Sequence, residues 1–262
     1  MPRIWLRGFV FIMIPRAKYL IARVSRQFRC FRNGLRFGVL YLRDRTFTVP
    51  QTIRVNGTRI ALQLPPEGGV AADFFVCFLR NEYGLNKQLD HTQTIVDIGS
   101  NLGFFSIAAR SYYPNATIQA YEPNPRIVPL LRQNVSQLGI TIYPEAVGGE
   151  CGCVEIVDSG DCNQARTATS QNGSIQQVSL ATAVARIGGT VDLLKLDCEG
   201  AEWDMFCDAK PWHSIRDLRM EYHLFHGKTV QDLLNALHQL DFQVLLLQQS
   251  PGFGTVWATR AK

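Results

Sequence analysis

The sequence predicts an α/β protein with a mainly parallel sheet covered by helices on both faces. From Thr94 onward, short apolar runs alternate with segments of helical period, the pattern of parallel strands joined by crossover helices. The chain's 262 residues, 46% hydrophobic and 19% charged, suit one large domain with an ordinary buried core. Glycines and acids gather where the apolar runs end, which is where open α/β sheets bind ligands.

Residues 1–45 read as a basic N-terminal extension. They hold eleven Lys and Arg against the single acid Asp44, so the net charge of +5 resides there and the remainder is acidic. The apolar run Gly8–Ile14 stops at Pro15-Arg16, short of the roughly 20 residues a bilayer core requires. No small-residue cleavage site follows it. The expected location is therefore cytoplasmic. Ile4, Trp5, Phe9 and Phe11 beside Arg3, Arg7 and Arg16 give a second reading, peripheral contact with the inner membrane surface. A third is an arm packed on the domain or on a second subunit.

Residues 46–90 read as a hairpin and a helix preceding the core. Asn56-Gly57 in VNGTRIALQL is a two-residue hairpin signal, and VAADFFVCFLRNEYG, 70–84, has helical period with Gly84 near its end. In residues 91–262, strands are expected at 94–98, 117–121, 141–147, 191–196, 217–224, 242–248 and 255–260. Helices are expected at 102–112, 125–138, 180–187, 200–208 and 229–240. The stretch 148–178 breaks the rhythm and reads as an excursion with one short strand, 154–157. The seven cysteines include no CxxC pair, and Cys151 and Cys153 read as strand positions rather than a metal site.

Three strand ends carry candidate chemistry. In TIVDIGSNLGFFS, 94–106, the glycines fall at the first strand-to-helix turn. A dinucleotide fingerprint needs a glycine where Asn101 stands, so that backbone can approach a pyrophosphate. S-adenosylmethionine has no pyrophosphate; Gly99 and Gly103 would let backbone pass its amino acid tail, and Asp97 would orient the tail's ammonium. In IQAYEPNP, Glu122 is placed to accept from both ribose hydroxyls, and Pro123 begins the turn into the next helix. In PEAVGG, Glu145 and Ala146 border the adenine on this reading. In VDLLKLDCEGAEWDMF, Lys195, Asp197 and Glu199 alternate at the end of a strand otherwise fit for burial, a costly arrangement unless paired or used.

VDIGSNLGFFS, YEPNP and LLKLDCEGAEWDMF, followed by LRMEYHL, resemble the FkbM family of S-adenosylmethionine-dependent methyltransferases over roughly residues 70–260. The resemblance implies a class I methyltransferase, Rossmann-like fold: a seven-stranded, mainly parallel sheet of order 3-2-1-4-5-7-6 with its last strand antiparallel. It also implies S-adenosyl-L-methionine as cofactor, and residues 91–262 as the methyltransferase domain. Asn101 matches the family's DxGxNxG form, and the cofactor site expected is Asp97, Gly99, Asn101, Gly103, Glu122, Pro123, Asn124, Glu145, Ala146 and Asp197. Family members are mostly O-methyltransferases of sugars, glycan precursors and natural products, so the expected acceptor is a hydroxyl on a small molecule or glycan.

For catalysis, His223 suits proton removal near neutral pH. Asp197 and Glu199 would position the acceptor, Lys195 would hold Asp197 ionised, and Glu221 would hold the site in shape. No metal is expected, although Asp197, Glu199 and Glu221 are oxygen ligands in principle. Competing readings are a nucleic-acid methyltransferase gripping phosphate with the basic arm, an NAD-dependent oxidoreductase, and a non-enzymatic scaffold. The acidic catalytic half and the lack of an Asn/Asp-Pro-Pro-aromatic tetrad argue against nucleic acid, and Asn101 argues against NAD.

Overall fold

The computed structural model describes residues 48–86, 91–157, 165–170 and 172–260. The basic extension, 1–45, lies outside the described residues. Chain description begins with the hairpin β1 (Thr52–Val55) and β2 (Thr58–Ala61). Its turn places Asn56 at φ 47° and Gly57 at φ 87°, the left-handed pair a two-residue hairpin needs.

Helix α1 (Gly69–Phe74) runs on as a wider π-helical turn, Phe75–Arg80. The helix read from sequence as 70–84 stops earlier, because Asn81 turns left-handed at φ 51° and its side chain accepts the Leu85 amide at 3.1 Å. Gly84 instead lies against Trp257, where an added Cβ would fall 2.5 Å from the ring.

The central sheet holds β3 (Thr94–Ile98), β4 (Thr117–Tyr121), β5 (Ile140–Tyr143), β10 (Val191–Leu196), β11 (Ile215–His223), β12 (Phe242–Ser250) and β13 (Phe253–Arg260). Their order is β12-β13-β11-β10-β3-β4-β5, and β13 is antiparallel to both its neighbours. Numbered in chain order from β5's edge, the seven run 3-2-1-4-5-7-6. Alternation along each strand splits the core into two apolar clusters, one on each face. Ile95 and Leu193 point to one, with α2 (Phe104–Tyr112), α3 (Val128–Val135), α1 and the hairpin. Val96, Leu194 and Leu218 point to the other, with α4 (Leu180–Arg186) and α6 (Val230–Gln239). Helix α6 starts on a capping box: Thr229 accepts the Asp232 amide while Asp232 accepts the Thr229 amide.

Two further expectations change. The strand expected at 141–147 is two, because Pro144 offers no amide to the ladder and separates β5 from β6 (Ala146–Gly148). The excursion expected to hold one strand holds three: β7 (Gly152–Val157), β8 (Arg166–Thr169) and β9 (Ile175–Ser179). With β6 they form a second sheet of order β6-β9-β7-β8. Polar strands such as IQQVS and RTAT bury too little to announce themselves in a hydrophobic pattern. No helix among the described residues is long and apolar enough to cross a membrane.

Candidate active site

A cleft opens at the carboxyl ends of β3, β4, β10 and β11, around the point where β3 and β10 send the chain in opposite directions across the sheet. Of the residues expected to hold cofactor, Gly99, Asn101, Glu122, Pro123, Asn124, Glu145, Ala146 and Asp197 line it. Lys195, Glu199 and Glu221 line it as well.

The loop after β3 is built around Glu122. Its Oε2 accepts the Asn101 amide at 2.7 Å and its Oε1 the Asn124 amide at 2.8 Å. Burial pushes this carboxyl up to about 7, against those two backbone donors. Each oxygen keeps one further lone pair, the chemistry a cis-diol requires. Asn124 is itself buried, and its Nδ2 has no hydrogen-bond partner among the described residues, an orphaned donor in the cleft wall. Left-handed Asn101, at φ 46°, donates through Nδ2 to Asp73 Oδ2 at 2.7 Å.

Three expected cofactor contacts are corrected. Asp97 is fully buried behind the loop; Ser106 Oγ donates to it at 2.7 Å and Lys195 Nζ stands 3.4 Å away, so it supports the loop rather than facing the cleft. Gly103 looks away from the cleft, since a Cβ there would meet Leu131 and Val135 at 2.7 and 2.9 Å. Its role is to let α3 approach. At Gly99 a Cβ would fall 1.7 Å from the Asp197 carbonyl oxygen, so this glycine joins the β3 turn to the β10 turn. Glu145 borders the cleft but is already paired with Arg186. Arg186 also stacks over Tyr143, 4.5 Å from its ring centre.

The turn after β10 gathers the acids. Lys195 is buried; its ammonium donates to the carbonyls of Ile98 and Gly99 and stands 3.5 Å from Asp197 Oδ2. Burial opposes its charge, but Asp197 and Asp97 outweigh that and raise its pKa. Tyr83 Oη donates to the same Asp197 Oδ2 at 3.1 Å, leaving Oδ1 without a hydrogen-bond partner among the described residues. Glu199 adopts φ 54°. The wholly buried Glu202, in the short helix α5 (Glu202–Met205), accepts the amides of Gly200 and His223 at 2.9 and 2.8 Å. Glu202 thereby fastens this turn to β11.

His223 is not on the cleft wall. Its Nε2 lies 3.3 Å from Glu199 Oε2, its Nδ1 3.7 Å from Glu202 Oε1, and its ring stacks between Phe225 and Phe253. Burial disfavours its charged form, yet Glu202, Glu199 and Asp197 outweigh burial and hold it at about 9. The expectation of His223 as base meets two facts of its setting: its Nε2 faces Glu199 rather than the cleft, and its buried Nδ1 has no hydrogen-bond partner among the described residues. Glu221 is on the wall, and burial followed by the Asp197 charge push it up to about 8.

Sequence reasoning missed Asp73 and Cys77, which α1 and its π-helical extension bring to the wall, and Tyr83 in the turn that follows them. A lone Asp inside VAADFFVCFL was the available signal. From the excursion, Ile156, Ala165 and Thr167 line the cleft, whereas Arg166 turns onto the Phe225 ring at 3.9 Å. Among the described residues no cluster of three His, Cys, Asp or Glu has the arrangement to hold a metal ion.

The profile of the Methyltransferase FkbM domain matches residues 97–244. The chain is 27% identical over 186 residues to Methyltransferase 1 of Beauveria bassiana, covering 58% of this chain and 75% of that protein. Among solved structures it is similar to the fibrillarin pre-rRNA processing protein of Methanococcus jannaschii, with TM-score 0.47 and 11% identity over 83% of this chain and 85% of that one. It is also similar to Aeropyrum pernix fibrillarin with natively bound S-adenosyl-L-methionine, with TM-score 0.45 and 12% identity over 69% and 74% of the two chains.

Proposed function

The chain belongs to the FkbM methyltransferase family, and from that premise we propose that it methylates a hydroxyl of a sugar, a glycan precursor or a related polar metabolite. It is an S-adenosylmethionine-dependent enzyme, and the polar groups of the cleft suit that cofactor: Glu122 for the ribose diol and the orphaned Asn124 amide. When bound, the cofactor supplies a methyl group made electrophilic by its sulfonium. The protein's part is to bring a hydroxyl oxygen in line with that methyl and remove its proton.

The observation that carries the hydroxyl reading is the β10–β11 side of the cleft. It offers Asp197 Oδ1, Glu199 and Glu221, all acceptors of hydrogen bonds, and its lining cation, Lys195, is engaged by Asp97 and Asp197. Hydroxyls donate to such a wall; phosphates are repelled by it, which counts against a nucleic-acid acceptor. On this reading Glu221 takes the proton, because a carboxyl near 8 is better matched to an alcohol than an ordinary one. Asp197, with Tyr83 and Lys195 on Oδ2, turns Oδ1 to the acceptor, and His223 fixes Glu199. The test is transfer of labelled methyl from S-adenosylmethionine to a panel of free and lipid-linked saccharides, with nucleic acid in parallel. A new methyl ether is the expected product; label on nucleic-acid nitrogen in place of it would overturn the reading.

A further inference from the structure

We propose that the cleft distinguishes the two charge states of its cofactor, holding cationic S-adenosylmethionine more tightly than the uncharged product S-adenosylhomocysteine. The ligands share every group except the methyl and the positive charge it confers on sulfur. Any difference in affinity must therefore arise where that charge is felt.

The strand-end turns supply the field. Asp97, Asp197, Glu199, Glu202 and Glu221 gather around two close cations, Lys195 and His223. Lys195 lies 3.4 and 3.5 Å from Asp97 and Asp197, and His223 lies 3.3, 3.7 and 3.8 Å from Glu199, Glu202 and Glu221. Arg166 acts on Glu199 from its seat on Phe225, and Glu82 adds a further negative charge toward Glu221. Carboxylates thus outnumber cations among the described residues, even with the Glu221 carboxyl, pushed up to about 8, counted as uncharged. In a partly buried site such an excess is costly until a cation enters. Asp197, Glu199 and Glu221 border the same cleft as the glycine loop, Glu122 and the orphaned Asn124 amide, so the ligand those groups hold lies within the field. Glu122 and Asn124 meet parts common to donor and product and cannot tell them apart.

The consequence is an ordered cycle. Methyl transfer removes the positive charge, and with it the attraction, so the product leaves readily and inhibits weakly.

Calorimetric titration of the full-length protein with S-adenosylmethionine, S-adenosylhomocysteine and sinefungin, which carries an amine in place of the methylsulfonium, tests this without any acceptor. Both cations are expected to bind at least about tenfold more tightly than S-adenosylhomocysteine, equivalent to roughly 1.4 kcal/mol. Asp197→Asn and Glu199→Gln should shrink that ratio, whereas Glu122→Ala should weaken all three ligands alike. S-adenosylhomocysteine binding as tightly as both cations in the wild type would overturn the proposal, whichever variants fold. So would an unchanged ratio in a Glu199→Gln protein that still binds cofactor. Failure to find a hydroxyl acceptor touches neither outcome.

Discussion

After β3 the chain turns through Gly99, Ser100, Asn101 and Gly103, and the turn is fastened by hydrogen bonds: Ser100 Oγ donates to the Tyr121 carbonyl, the Asn101 amide to Glu122, and the Asn101 side chain to Asp73. After β10 it turns through Asp197, Cys198, Glu199 and Gly200, where charges are shared unevenly and Glu199 holds a left-handed backbone. The first turn spends its polar groups on shape. The second keeps carboxylate oxygens for something else. Strained backbone and imperfectly paired charge belong with chemistry, where a group must be ready to gain a proton or a partner. The two turns meet at one point, Gly99 against the Asp197 carbonyl, so the fastened turn holds the reactive one in place.

The contrast breaks most sharply at Glu221. Glu221→Gln should lower turnover by about 100- to 10,000-fold, the usual worth of a general base, while binding of S-adenosylhomocysteine stays near wild type. His223→Gln should cost less, by loosening Glu199. If His223→Gln abolishes turnover and Glu221→Gln hardly changes it, the assignment of base is wrong.

Gly99→Ala attacks the junction. Its Cβ would overlap a backbone carbonyl at 1.7 Å in a residue at φ 74°, so denaturant unfolding should show a loss of about 3 kcal/mol or more. A variant as stable as wild type would mean that the two turns are not joined there.

On the fastened side, Glu122→Ala should weaken cofactor binding by about 1.5–3 kcal/mol, the worth of hydrogen bonds to a charged group, with little change in its dependence on charge at sulfur. The same residue sets a pH dependence. Its folded value of about 7 lies above the ordinary 4.5, so the free protein keeps a proton that the unfolded chain releases, and stability falls as pH rises through that window. Cofactor binding runs the other way. The ribose hydroxyls need the ionised carboxylate, so affinity should climb by up to about tenfold per pH unit below 7 and level off above it. A flat profile in wild type, equal to that of Glu122→Ala, would remove Glu122 from the ribose.

The two turns also differ in how far they could be read from sequence. DIGSNLG and YEPNP are local: strand, turn and helix follow one another within each segment, so Glu122 could be placed from its position at a strand end, and Asn101 and Asn124 from the family resemblance. Gly99 and Gly103 were recognised as necessary for the wrong reason, because the atoms a Cβ would meet belong to Asp197, Leu131 and Val135, distant in the chain. The acid side depends on long-range partners throughout. Tyr83 reaches Asp197 across 114 residues, and His223 turns inward because Glu202, Phe225 and Phe253 surround it. No periodicity encodes such contacts. The second sheet was missed for a related reason, since short polar strands carry little hydrophobic signal.

A crystal structure of the protein with S-adenosylhomocysteine bears most directly on the central claim, that one cleft has a cofactor half fastened by Glu122 and an acceptor half made of acids. The ribose diol is predicted within hydrogen-bond distance of both Glu122 oxygens, with the sulfur turned toward Asp197, Glu199 and Glu221. An adenosine seated away from Glu122, or a sulfur facing away from the acids, would contradict it.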